Sequence, residues 1–204
     1  MRSIIELQRI AMSDNELYAT YYQLIGGGVK IPEGDNWDIL RAVADSALFP
    51  NYKEHIRFAA LSLDGIGLSH YGECSIVLRN NLIAHRASVF EENSVLFMKH
   101  RKISMSKADK LPKGYRATWK DRARLCVAKI HKNIDASTKA DEYSALLLQQ
   151  GATSEKDEFV EAHIYGPMTR RTIEHVKISP RRKKSATILK AMKEKLSKAG
   201  VTIS

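Results

Sequence analysis

The sequence predicts an α+β fold, and three observations carry that prediction. Side chains alternate with a strand's period of two in two separated blocks, Ile56 to Met98 and Glu158 to Ile178. Helical spacing of apolar residues, with capping residues at the ends, occupies the chain before, between and after those blocks. Finally, 204 residues are enough for one large domain with a buried core, and no internal repeat divides them. The expectation is a single domain over 1–204, with a basic helical insertion around 99–150 and a basic C-terminal helix over 180–199.

Taken in order, Ile4, Leu7 and Ile10 or Ala11 recur at helical spacing in Ser3 to Met12. Ser13-Asp14 then supplies an N-cap and Glu16 a first-turn acid, with Leu17, Tyr21 and Leu24 or Ile25 as the apolar stripe. Gly26-Gly27-Gly28 ends that helix. A phosphate loop would need a Lys-Ser/Thr after the glycines, and none follows, so the triplet reads as a C-cap and turn. Asp35 or Asn36 caps a further helix that turns Trp37, Leu40, Val43 or Ala44 and Ala47 inward.

Strands begin after Tyr52. Ile56 to Leu63 is predicted as a strand, Asp64-Gly65-Ile66-Gly67 as a turn, and Glu73 to Arg79 as a second strand. Asn80-Asn81 reads as a turn and Ser94 to Met98 as a short strand. Leu111-Pro112-Lys113-Gly114 signals a loop at the tip of the basic segment. Trp119, Arg122 or Ala123, Cys126 or Val127, Ile130 and Ile134 then give a helix, and Asp141 to Gln150 another.

From Glu158 to Tyr165, Phe159, Glu161 and His163 fall on one face of a strand, and Val160, Ala162 and Ile164 on the other. Gly166-Pro167 stops it, and Thr172 to Ile178 reads as a second strand returning beside the first. Strand propensity disfavours a mid-strand carboxylate, so Glu161 needs a reason. The plainer reason is one wet face; the functional one is a cleft. Ser179-Pro180 caps the last helix, with Ile188 or Leu189, Met192, Leu196 and Ala199 facing inward.

The net charge of +10 is unevenly distributed. Lys99 to Ala140 carries 13 Lys and Arg against 3 Asp and Glu, and Pro167 to Ser204 carries 11 against 2, whereas the two remaining segments are acidic. Two basic segments are thus offered to a polyanion such as DNA or RNA, unless they are simply solvated helix faces. Cys74 and Cys126 lack metal-like partner spacing, so no metal site is expected, and two thiols suit a reducing cytoplasm. Met1 to Met12 does not resemble a secretory signal, no stretch has the ~20 apolar residues of a membrane span, and no membrane association is expected.

Two stretches carry a family resemblance. Arg57-Phe58-Ala59-Ala60-Leu61-Ser62-Leu63-Asp64 followed by His70-Tyr71-Gly72-Glu73-Cys74-Ser75-Ile76 is similar to the strand, His and Tyr-Gly run of abortive-infection proteins of the AbiGi type. Val160-Glu161-Ala162-His163-Ile164, with Pro167 and Ile173 beyond it, resembles the strand that presents the catalytic glutamate in DNA-modifying toxins. Both belong to divergent branches of the ADP-ribosyltransferase superfamily. The resemblance implies a split β-sheet core, NAD as cofactor and mono-ADP-ribosylation of nucleic acid by a toxin or phage-defence effector. An antitoxin or chaperone is the protein partner it suggests.

On that resemblance Glu161, rather than Glu158, stabilises the cation-like transition state that forms as nicotinamide leaves the ribose. Tyr71 brackets the nicotinamide, with Tyr21 or Tyr22 as second choice, Ser62 binds its ribose, and Arg57 or His70 the pyrophosphate. These last two stand in for the Arg or His of the family's first strand, which Glu16 to Tyr22 lacks. Arg170 and Arg171, with Arg122 and Arg124 of the basic helix, would contact target phosphates. Two other classes compete. A metal-independent ribonuclease would use His70, His163 or His175 with Glu161 as acid and base, and a non-enzymatic nucleic-acid binder would need only the basic segments.

Overall fold

A computed structural model describes residues 1–13, 18–28, 36–103, 116–179 and 186–204. The expected caps at Asp14 and Asp35, the first turn with Glu16 and Leu17, the Leu111-Pro112-Lys113-Gly114 loop and the proline at Pro180 lie outside these residues. The strands are β1 Ile56–Ala60, β2 Cys74–Leu78, β3 Ala87–Phe90, β4 Arg116–Thr118, β5 Leu148–Gln149, β6 Glu158–Phe159, β7 Glu161–Tyr165, β8 Ile173–Ile178 and β9 Thr202–Ile203. The α-helices are α1 Ile4–Met12, α2 Tyr21–Gly26, α3 Asn36–Leu48, α4 Asn80–Ile83, α5 Ser94–His100, α6 Arg122–Ile130, α7 Tyr143–Leu147 and α8 Ala186–Lys198. The class is α+β, as expected. No described helix is long and apolar enough to cross a membrane.

The strands form two main sheets, ordered β1-β7-β3-β4 and β2-β8-β9, with β5-β6 as a two-residue ribbon. β1 and β2 are divided between the two sheets, and so are β7 and β8. The expected hairpin of Glu158 to Tyr165 with Thr172 to Ile178 is therefore not formed: β7 pairs with β1 and β3, and β8 pairs with β2 and β9. Gly166, at φ 81, turns the chain out of the first sheet, its N–H donating to the His55 carbonyl. A 3-10 turn at Arg170–Thr172 then delivers Ile173 opposite Leu78. The expected strand also breaks at Val160, since Glu158–Phe159 pairs with β5 while β7 is central and paired on both edges.

Three further expectations are corrected. Ser94 to Met98 is helical, not a strand: Asn93 caps it by accepting hydrogen bonds from the N–H groups of Val95 and Leu96, and all five residues are buried. A short, continuously apolar run does not distinguish a strand from a buried helix. Asn80-Asn81 opens the short helix α4 instead of a turn. The 99–150 segment is not purely helical, because β4 pairs with β3 in the first sheet and α6 packs on both strands.

Packing sets the layers. On one face of the first sheet, Val43, Ala44, Leu48 and Phe49 from α3 and its end meet Ile56, Phe90 and the Phe97-Met98 turn of α5. On the other face, Val89 and Ala162 meet Ile130 and Leu147 of α6 and α7. The second sheet is covered by α1 and α8, through Leu7, Ile10, Cys74, Val176, Met192 and Leu196. Helix α1 starts with a capping box, Ser3 against Glu6, and its buried residues are the predicted Ile4, Leu7, Ile10 and Ala11.

Arg2 lies antiparallel to Cys74, each N–H donating to the other's carbonyl at 2.9 Å. Gly72 makes this possible: its φ is 127, and a Cβ there would stand 2.3 Å from the Arg2 carbonyl carbon. Gly72→Ala is expected to destabilise the fold by more than the roughly 1–3 kcal/mol of backbone strain alone. Gly28→Ala, at φ 67 with open space around it, should cost only about 1–2 kcal/mol. Urea denaturation of the two variants checks this; equal losses would contradict it.

Candidate functional site

The two sheets diverge around a cavity of about 590 Å³. Phe58 and Ala60 of β1, Ser75 and Val77 of β2 and Glu161 and Ala162 of β7 stand among its walls. Glu161 faces Ala60 on one neighbouring strand and Phe90 on the other, and residues so paired point to the same side. That face is not wet: Glu161 is 1% exposed and His163 2%.

A carboxylate this deep must be compensated. Glu161 Oε1 accepts from Ser94 Oγ at 2.9 Å and from His163 Nε2 at 2.8 Å, with Arg41 at 3.8 Å. Oε2 accepts from the Ser94 N–H at 3.0 Å and keeps lone-pair capacity beyond it. Burial pushes the Glu161 carboxyl up, but the His163 hydrogen bond, the charges of Arg41 and His163 and the Ser94 N–H together hold it below its ordinary value. It stays ionised.

The compensating groups are themselves braced. Arg41 also donates to Ser94 Oγ at 3.0 Å and lies over the Phe58 ring. Behind it Asp45, wholly buried, pairs with Arg41 and accepts from the Tyr22 hydroxyl at 2.9 Å. Burial dominates at Asp45 and its carboxyl is pushed up, so of the two carboxylates beside Arg41 it is Glu161 that holds the charge most firmly. His163 is walled by the rings of Phe49, Phe58 and Phe90, and its Nδ1 has no partner among the described residues.

The other sequence-predicted residues divide. Tyr71 lines the cavity, its ring edge-on to Phe159; burial and then the charge of Asp157 push its hydroxyl up to about 12. His70 lines the cavity too, bound through Nδ1 to Asp157 at 3.0 Å. Ser62 also lines it, donating to Asp64 and to the Ile66 carbonyl at 2.8 Å. Arg122 reaches the lining, stacked over Trp119, whose indole N–H donates to Asn80.

Five groups are not brought there. Arg57 pairs across β1 with Ile164, so it points to the face opposite Glu161, and it donates to the carbonyls of Tyr18, His55 and Gly166. Tyr21 donates to Asp38 on α3. Arg124 is exposed beside Asp121, Arg170 donates to the Ala11 carbonyl, and Arg171 is exposed. Glu158 is exposed on β6, outside the cavity. His175 bonds Thr202 and Ser204 on the second sheet, away from Glu161.

Sequence reasoning missed Arg41, Asn93, Ser94 and Asp157. Arg41 and Asp45 lie four apart on a predicted helix, a pairing signal that was legible. The Asn93-Ser94 cap was hidden by reading Ser94 to Met98 as a strand. No group of three His, Cys, Asp or Glu among the described residues is placed to hold a metal ion. Comparison with protein-family models, with curated proteins and with solved structures finds no match to this chain.

Replacing Arg41 by Met strands a buried charge, and a loss of roughly 3–5 kcal/mol at neutral pH is expected. The wild-type Glu161 carboxyl is lowered, so its contribution is present above the ordinary carboxylate range and lost on acidification. Without Arg41 the folded carboxyl rises, and the penalty grows with pH. The deficit of the variant should therefore shrink as pH falls, as read from urea midpoints across the acidic range; a deficit independent of pH would contradict it.

Proposed function

We propose that this chain is an NAD-dependent mono-ADP-ribosyltransferase acting on nucleic acid. The observation that carries the reading is one ionised glutamate, Glu161, set in a cavity between two sheets with acceptor capacity left on Oε2. Cleavage of the nicotinamide bond leaves positive charge on the ribose, and a fixed carboxylate that needs no reorganisation stabilises it. A cavity of about 590 Å³ falls in the range of small-molecule and cofactor sites. Tyr71, half-exposed on its rim, supplies an aromatic face for the nicotinamide, and Ser62 lies within reach of the ribose side of the same cavity.

The grip on the pyrophosphate passes to other residues than first expected. Arg57 is committed to backbone carbonyls, and Arg2, though in the lining, is held by Glu6 and Tyr18, whereas Arg122 lines the cavity and carries the charge a pyrophosphate needs. Beside Arg122, the exposed basic face of α6, with Arg124 and Lys129, offers phosphate contacts, and Trp119 offers a stacking surface for a base. Arg171 is available for the same purpose. Neither Cys74 nor Cys126 is in a disulfide, which suits a reducing cytoplasm.

Incubation with labelled NAD and single-stranded DNA or RNA tests the reading. Label should enter the nucleic acid, and Glu161→Gln should lower the rate by about 10²–10³-fold, as for loss of a main electrostatic contributor. Glu158→Gln, outside the cavity, should change it little. Absence of transfer with NAD left intact overturns the proposal. Cleavage of the strand without NAD would assign the cavity to a metal-independent nuclease, the reading that the His70 and Asp157 pair favours.

A further inference from the structure

The cavity wall holds a second ionisable group that the role of Glu161 leaves unused, His70, backed by Asp157. His70 Nδ1 stands 3.0 Å from each oxygen of Asp157. Asp157 is wholly buried and is fixed by a second donor, the Gly151 N–H at 2.8 Å. Gly151 cannot carry a side chain, since a Cβ would lie 2.4 Å from the Lys156 carbonyl oxygen. The loop that holds Asp157 is thereby closed tightly on itself, and the carboxylate cannot drift away from the imidazole.

A carboxylate against Nδ1 selects the tautomer with the proton on that nitrogen, leaving the lone pair on Nε2. Nε2 has no protein partner among the described residues, and His70 lines the cavity. A buried acid that orients an imidazole whose other nitrogen is free is the arrangement of a general base. It also argues against His70 as a pyrophosphate contact, because Asp157 would set a negative charge behind the grip. Tyr71, the next residue, feels both acidic centres: after burial, the charges of Asp157 and then Glu161 raise its hydroxyl.

We infer that His70, held by Asp157, is the general base that activates the acceptor, and that the acceptor is an O–H or N–H group of a nucleotide. This rests on the transferase reading above. The bond from ribose C1′ to the nicotinamide nitrogen breaks, and its electron pair leaves with neutral nicotinamide. A lone pair of the acceptor forms the new bond to C1′, and the acceptor's proton passes to His70 Nε2. NAD is the only co-reactant, and nothing is oxidised or reduced. Glu161 stabilises the ribose charge throughout and carries no proton, so the two residues divide the work.

The test compares wild type with His70→Ala for NAD binding, for transfer to a single-stranded oligonucleotide and for the effect of added imidazole. The variant should bind NAD as the wild type does, transfer about 10²–10⁴-fold more slowly, and regain part of the rate when imidazole fills the vacated space. Transfer at the wild-type rate overturns the inference. So does a loss that imidazole leaves untouched, which would make His70 a pin for the Asp157 loop, or a loss of NAD affinity, which would make it a cofactor contact. A wild-type protein that leaves NAD intact overturns the transferase reading and this inference with it. Active wild type with an unaffected His70→Ala variant sinks the base alone.

Discussion

Glu161 is a full negative charge in the middle of a sheet, and much of the first sheet's surroundings is arranged to make that tolerable. An uncompensated carboxylate at this depth would take up a proton, so its charge depends on donors delivered from elements distant in sequence. Helix α3 brings Arg41, the start of α5 brings the N–H and hydroxyl of Ser94, and β7 brings His163 two residues on. The same helices that bury the sheet through Val43, Leu48 and Phe97 carry the polar groups. Packing and electrostatics are therefore coupled: a shift of α3 that relaxed the core would also move Arg41 away from the carboxylate.

The division of β1 from β2 and of β7 from β8 between two sheets creates the space that this charge overlooks. Had β7 and β8 paired as a hairpin, β8 would have displaced β1 or β3 from an edge of β7 and could not have joined β2 in a second sheet. Instead the chain leaves β7 at Gly166, and β8 joins β2, with Arg2 added along the other side of Cys74. The first and second sheets then meet along a gap lined by β1 and β2. His70 and Tyr71 sit in the connection that crosses it, which is why residues adjacent in sequence face a glutamate some ninety positions later.

The class, the N-terminal helix and the strand with Glu161 were legible in the sequence because each rests on local periodicity. Ile4, Leu7, Ile10 and Ala11 repeat at 3.6 and are buried together; Ala162 and Ile164 alternate with Glu161 and His163. Sheet partners were not legible, since pairing of β8 with β2 is a contact across about a hundred residues and nothing in Ile173 to Ile178 names its neighbour. The helix at Ser94 was lost because continuous apolar runs carry no period. At the site, the residue type of Glu161 announced itself by violating strand propensity, and His70-Tyr71 by their motif. Arg57 misled: a cation in a strand suggested an anion grip, but its donors go to the Tyr18, His55 and Gly166 carbonyls that tie the chain together. Arg41 and Asp157 act through placement, which only tertiary structure provides.

A crystal structure with a carba analogue of NAD, which binds but cannot lose nicotinamide, is the most direct measurement. The expected result is the nicotinamide ribose lying in the cavity between the sheets, with a hydroxyl at hydrogen-bond distance, about 2.6–3.2 Å, from Glu161 Oε2 and the nicotinamide ring against Tyr71. An empty cavity at saturating ligand, or an analogue bound elsewhere with Glu161 sealed behind Phe58 and Tyr71, would contradict the assignment of this glutamate to the transfer of ADP-ribose.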